Sequence, residues 1–309
     1  MSFSEERQRT GAGQWLLLAL LFAGAATLFA HLLRPLVEPA EAARAPAPVA
    51  TVQTMPSAAA SAGPAEPNIE AAAPAPPAAP APPPPYAPEF KGPRIAIILT
   101  DVGDNPAQAR AAIAALPPVV GLAFTPYPDV LALTKFARAD GHEVWAGVPM
   151  QPKSWPRVSP GKNTLLVSAS AADNVRGLDW ALARVGGSAA GITGIMGSAF
   201  TESEAALRPV LDEAARRGLA YIDARASARS VGPATAKAAG VRAAVNDRFL
   251  DESGTIAGNL AALEQLARRE GQAIGYARPL PTTVAALEAW AATLEGKGIL
   301  LVPPSSLAD

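Results

Sequence analysis

The stretch Arg94-Ile-Ala-Ile-Ile-Leu99-Thr100-Asp101-Val102-Gly103 decides the fold. Ile95 to Leu99 is an unbroken apolar run. A strand with one wet face would alternate apolar and polar positions instead. Such a run, closed by a polar, glycine-bearing tail, suits a parallel sheet covered on both faces. Seven further runs read alike: Val119–Phe124, Glu143–Val148, Gly191–Met196, Leu219–Ile222, Val241–Val245, Gln272–Tyr276 and Gly298–Val302. Between most of them lie Ala-, Leu- and Arg-rich helical patterns, such as Glu202–Arg217, Ile256–Glu270 and Thr282–Leu294. Thr201 with Glu204 three residues later reads as a capping box. Gly218, Gly240, Gly271 and Gly298 stand where helix C-terminal caps are expected. The pattern over residues 94–309 predicts an α/β fold, a (β/α) barrel of TIM-like type, closed or partly open. A doubly wound open sheet is the alternative. Met150 to Ser170 is a longer, proline-rich loop, suited to a lid or rim.

Outward from this domain the chain changes character. Residues 1–14 are polar, and Trp15–Leu33 follows without a single charge. Nineteen residues of helix span about 28 Å, close to the hydrocarbon thickness of a bilayer. Trp15 and Arg34 flank the run where interfacial anchors belong. Residues 15–34 are therefore expected to be an uncleaved transmembrane anchor, with 1–14 cytoplasmic and the C-terminal domain in the periplasm. A signal peptide cut near Ala40-Glu41-Ala42 is the rival reading, although its apolar core would usually be about 7–15 residues. Residues 35–93 form an Ala/Pro tract that buries too little apolar surface to fold. It is expected to be a disordered, semi-extended linker reaching at most roughly 150 Å.

Composition removes several chemistries. The 309 residues include no cysteine, which excludes disulfides, thiolate metal sites and a cysteine nucleophile. A net charge of −1 argues against nucleic acid as a partner. His31 and His142 are the only histidines. His142 precedes the third apolar run, at the end of the barrel away from the strand C-termini, and reads as a structural residue. A Ser-His-Asp triad would have to join it to Ser198 across the barrel. No phosphate-cradling glycine motif occurs.

In either architecture chemistry sits where strands end. The strand ends carry Thr100-Asp101, Met196-Gly197-Ser198, Asp223-Ala224-Arg225, Asn246-Asp247-Arg248 and Ala277-Arg278. Asp101, Asp223 and Asp247 are the carboxylates expected to meet on one face as catalytic candidates. Paired carboxylates could cleave a glycosidic bond. Ion pairs of the same carboxylates with Arg225, Arg248 or Arg278 are the plainer reading. Arg225 and Arg278 could hold a carboxylate or phosphate by bidentate hydrogen bonds. Ser198 and Trp155, the latter in the proline-rich loop, complete the ligand-binding candidates. Trp180 and Trp290 lie in helical patterns and are expected in the core.

Several motifs follow one another in order. They are Ile97-Ile-Leu-Thr-Asp101-Val-Gly103, Gly141-His-Glu-Val144, Pro149-Met150, Met196-Gly-Ser198, Tyr221-Ile-Asp223-Ala-Arg225, Phe249-Leu-Asp251 and Pro279-Leu-Pro-Thr-Thr283. This order resembles the divergent polysaccharide deacetylase family of bacterial envelope proteins, over essentially all of Arg94–Leu307. The resemblance implies a deacetylase-type (β/α) barrel, a periplasmic location and a link to carbohydrate. It also implies a divalent metal, with an Asp-Asp pair ending strand one as base and ligand, and histidines as further ligands. Here Thr100 stands at the base position, Gly147 and Ile195 stand at histidine positions, and Arg278 replaces a third. Only Asp101 survives as a ligand, if a metal is bound at all. Thr100 cannot take up a proton near neutral pH, and catalytic zinc wants about three protein ligands. The metal is accordingly expected to be weak or absent. The expected protein acts in envelope glycan metabolism through a degenerate site that binds a glycan or a periplasmic protein. The alternative is a working deacetylase or glycosidase with a rewired carboxylate site.

Overall fold

Strand β1 (Arg94–Val102) is the spine of the domain. Ile95, Ile97 and Leu99 pack outward against helices, while Ala96 and Ile98 point inward. The remaining strands are β2 (Gly121–Phe124), β3 (Val144–Met150), β4 (Gly191–Met196), β5 (Ala220–Asp223), β6 (Ala243–Val245), β7 (Arg248–Phe249), β8 (Gln272–Ala277) and β9 (Leu300–Leu301). The helices are α1 (Pro106–Ala115), α2 (Leu131–Ala139), α3 (Ala171–Arg184), α4 (Glu204–Arg216), α5 (Gly232–Ala239), α6 (Ile256–Glu270) and α7 (Pro281–Leu294). The computed structural model describes residues 90–309. The expected N-terminal segment (1–14), membrane anchor (15–34) and linker as far as residue 89 lie outside the described residues.

Every strand pairing is parallel, in the order β6-β5-β4-β3-β2-β1-β8-β7. The two edge strands are pieces of one segment, interrupted only by Asn246-Asp247. The Asn246 N–H donates to the Asp223 carbonyl (2.8 Å) and the Asp247 N–H to the Ile274 carbonyl (2.9 Å). That segment joins the edges of the curled sheet, which makes the architecture a (β/α) barrel and sets aside the open doubly wound sheet.

Two expectations are corrected. The last apolar run does not supply a full barrel strand. Only Leu300 and Leu301 pair, with Arg94 and Ile95. They occupy the stretch of the β1 edge that β2, which pairs from Ile98 onward, leaves free. Nor does Thr201 cap a helix. Its Oγ1 donates to the Gly197 carbonyl (2.9 Å), and Ser203 caps α4 by accepting from the Ala206 N–H. The short turn Phe200–Glu202 absorbs the intervening residues.

The chain's C-terminus closes one end of the barrel. Val302, Leu307 and Ala308 join Trp145 and Ala220 in the inner core. Glu143 ties this plug down, accepting from the Trp145 Nε1–H (3.1 Å), the Ser305 N–H (3.1 Å) and the Ser305 hydroxyl. His142 lies buried at the same end, its ring nitrogens 2.8 and 3.0 Å from the Val120 and Ile113 carbonyls. The opposite end, where the strands terminate, is left as the mouth.

Candidate functional site

The alternation along each strand selects the mouth residues. Inward positions continue from Ile98 to Thr100 on β1 and from Trp145 to Gly147 on β3. On β4, Thr193 lies in the interior, its hydroxyl 2.8 Å from the Tyr276 hydroxyl of β8. Ile195 is the next inward position. It covers Gly147 so closely that a Cβ there would meet Ile195 Cδ1 at 2.9 Å.

Three strand ends are held in left-handed backbone: Asp101 (φ 56°) on β1, Met196 (φ 60°) on β4 and Arg225 (φ 57°) after β5. For residues bearing a side chain this conformation costs roughly 1–2 kcal/mol. Strain of this kind gathers at functional sites. Asp101 also lies where the β1–β2 register shifts, between Leu99 and Val102. Such a bulge re-aims a side chain.

The β1/β8/β7 side of the mouth is acidic. Burial pushes the half-buried Asp101 carboxyl up, and the charges of Asp104, Asp251 and Glu252 add to the rise, while Arg278 opposes it. Asp104 accepts a hydrogen bond from the Thr125 hydroxyl (2.6 Å). Thr100 donates only a long contact to the Ala277 carbonyl (3.4 Å). Arg278 is engaged by Asp251. Its N–H and Nε donate to one carboxylate oxygen at 3.0 and 3.2 Å, and Nη2 donates to the Asp251 carbonyl at 3.2 Å.

The β3–β5 side is built on one carboxylate with three donors. Glu202 accepts from Lys153 (2.5 Å), from the Ser227 hydroxyl and from Arg229 (2.8 Å). Lys153, then Ser227 and Arg229, hold its carboxyl down to about 2. The Ser198 hydroxyl accepts from the Lys153 N–H (3.1 Å), so Ser198 serves to seat the rim loop. Trp155, half-buried in that loop, precedes a cis peptide bond to Pro156.

The three expected carboxylates do not form one cluster. Asp223 shares the outward parity of Tyr221 and is 1% exposed. Its Oδ1 accepts from the Arg225 N–H (2.7 Å) and its Oδ2 from the Ser230 hydroxyl (2.5 Å). It closes the loop that follows β5, and its bond to Arg225 is through the backbone. Asp247 accepts from the Ile274 N–H (2.9 Å) and fastens the closing segment. Neither is among the charges that shift Asp101. Arg248 turns to the Asn259 side-chain oxygen (3.1 Å) rather than to a carboxylate. Asp104, Glu202, Lys153, Arg229 and Glu252 belong to the mouth although no motif singles them out. Asp251, within a motif, proves to be the partner of Arg278.

The model of divergent polysaccharide deacetylases matches residues 97–308. The chain belongs to the divergent polysaccharide deacetylase family. An uncharacterised Haemophilus influenzae protein is 30% identical over 65% of this chain and 71% of its own. The uncharacterised protein YibQ of Escherichia coli is 29% identical over 70% of this chain and 67% of its own. An uncharacterised Agrobacterium tumefaciens protein of solved structure is 32% identical, with a TM-score of 0.67, over 70% of this chain and 89% of that one.

The divalent metal implied by membership in the deacetylase family does not fit the residues present. Ile195 and Gly147 offer no donor atom, and a longer side chain at 147 would collide with Ile195 and with the Phe124 carbonyl (2.9 Å). Arg278 brings a cation already paired with Asp251. Among the described residues no three His, Cys, Asp or Glu side chains come together to hold a metal.

Proposed function

We propose that this divergent polysaccharide deacetylase acts in envelope carbohydrate metabolism by binding a glycan, or a periplasmic protein that carries one, at a degenerate deacetylase mouth. One observation carries the reading: Ile195 fills the space over Gly147, so two positions that would offer imidazoles form an apolar floor instead. Met196, 41% exposed, follows Ile195 at the end of β4. An apolar floor rimmed by hydrogen-bonding groups matches a pyranose ring, which presents C–H on its face and hydroxyls at its edge. The proposed setting is the periplasmic side of the inner membrane. The barrel would be anchored by residues 15–34 and carried on the Ala/Pro linker, with no role for nucleic acid.

Titration calorimetry of the full chain with N-acetylglucosamine oligosaccharides tests this. Saturable binding without acetate release, kept within about two-fold in Asp101→Asn, is expected for a site that uses no base at that position. Absence of binding contradicts it. A second reading has its own support. Asp101 is a carboxyl raised by burial at the mouth, the property a general acid or base requires. A hydrolase working through it would release product from the same oligosaccharides and lose that turnover in Asp101→Asn.

A further inference from the structure

The loop after β5 is fixed at an unusual number of points, and one cation on it is left unused. Asp223 holds its first and last residues through the Arg225 N–H and the Ser230 hydroxyl. Glu202 holds its middle through Ser227 and Arg229. The Val231 N–H donates to the Thr201 carbonyl (2.8 Å). Arg229 is therefore occupied. Arg225 is exposed, and its guanidinium makes no hydrogen bond or ion pair among the described residues. Asp247 is near enough to feel its charge, but accepts from the Ile274 N–H. The backbone nevertheless holds Arg225 in the left-handed region. An exposed guanidinium that no carboxylate holds, at the end of β5, can bind a planar anion bidentately.

We propose that Arg225 is the specificity-determining residue of the mouth, and that the glycan it selects bears a carboxylate. The inference rests on the glycan-binding reading and sharpens it to a substrate class. Charge across the mouth sets the direction of binding. Asp101, Asp104, Asp251 and Glu252 outnumber Arg278 on the β1/β8 side, whereas Lys153, Arg225 and Arg229 outnumber Glu202 and the buried Asp223 on the β3–β5 side. A ring lying on Ile195 would thus turn its carboxylate towards Arg225.

The test uses the full chain and a tetrasaccharide of alternating N-acetylglucosamine and N-acetylmuramic acid, as the free acid and as its methyl ester. The free acid is expected to bind about ten-fold or more tightly than the ester, the usual size of a hydrogen bond between charged partners. That preference should shrink as salt rises. Arg225→Ala and Arg225→Gly should both abolish the preference, bringing the free acid's affinity down to that of the ester. Glycine suits the left-handed backbone, so Arg225→Gly keeps the loop and separates a folding defect from a binding defect. Equal binding of acid and ester, or a preference that survives in Arg225→Gly, overturns the inference and leaves the glycan reading standing. Binding of neither form removes both.

Discussion

The two sides of the mouth use the same residue types to opposite ends. On the β3–β5 side one carboxylate, Glu202, is shared by three donors, and its carboxyl lies far below the ordinary range. On the β1/β8 side Arg278 is paired with Asp251, and Asp101, beside Asp104, Asp251 and Glu252, is pushed up chiefly by burial. The first arrangement satisfies every member and fixes three loops together. The second leaves charge uncompensated in a half-buried place. Rigidity and uncompensated charge are thus divided between the two rims of one barrel. The lesson is that a carboxylate's role follows from the number of donors facing it, more than from its position at a strand end.

Removing the deepest support of the rigid side should have the largest effect. Asp223→Ala removes the acceptor of the part-buried Arg225 N–H and Ser230 hydroxyl, at a cost of about 2–4 kcal/mol. For a domain of this size that is a fall in Tm of roughly 5–15 °C in a thermal melt. A fall of a degree or less would mean that the loop does not depend on Asp223. Glu202→Gln should act more locally. It weakens the bonds to Lys153 and Arg229, so amide exchange in residues 153–155 and 225–231 should rise several-fold, with the core unchanged. The depressed carboxyl also predicts a pH signature. Its stabilisation is complete above the unfolded value of 4.5 and is lost as pH falls towards about 2. Wild type should therefore lose stability across that window faster than Glu202→Gln.

The smallest effect belongs to the acidic side and has the opposite sign. Because the folded state raises the Asp101 carboxyl, its charge burdens the fold once pH passes that raised value. Asp101→Asn should raise Tm by about 1–3 °C at pH 7 and by nothing below the unfolded value of 3.8, where the wild-type carboxyl is protonated as well. A loss of stability at pH 7 would place Asp101 among the satisfied carboxylates and erase the contrast between the rims.

Much of the fold is legible along the chain. Continuous apolar runs such as Ile95–Leu99 mark buried parallel strands, and Gly240 and Gly271 do cap helices in left-handed backbone. The site is less legible, for reasons visible in particular residues. An all-apolar strand carries no alternation, so Tyr221-Ile222-Asp223 gives no sign that Asp223 faces the helices and not the barrel. The sixth apolar run reads as a strand ending at Val245, although the chain resumes at Arg248–Phe249 to pair with a different neighbour. Glu202 reads as the start of a helix, but it lies in the preceding turn and gathers partners from loops on either side. Such contacts join residues far apart in sequence, and local pattern holds no record of them. The lost histidine positions were readable as a resemblance. What the structure adds is that Ile195 fills the place left by the side chain missing at Gly147.

That replacement is tested most directly by measuring zinc binding to the purified full chain by calorimetry and elemental analysis, beside Asp101→Ala. With Ile195 and Gly147 at imidazole positions and Arg278 paired to Asp251, no stoichiometric zinc is expected, and Asp101→Ala should match wild type. One tightly bound zinc per chain, lost in Asp101→Ala, would contradict the degenerate mouth and restore the barrel as a metal-dependent hydrolase.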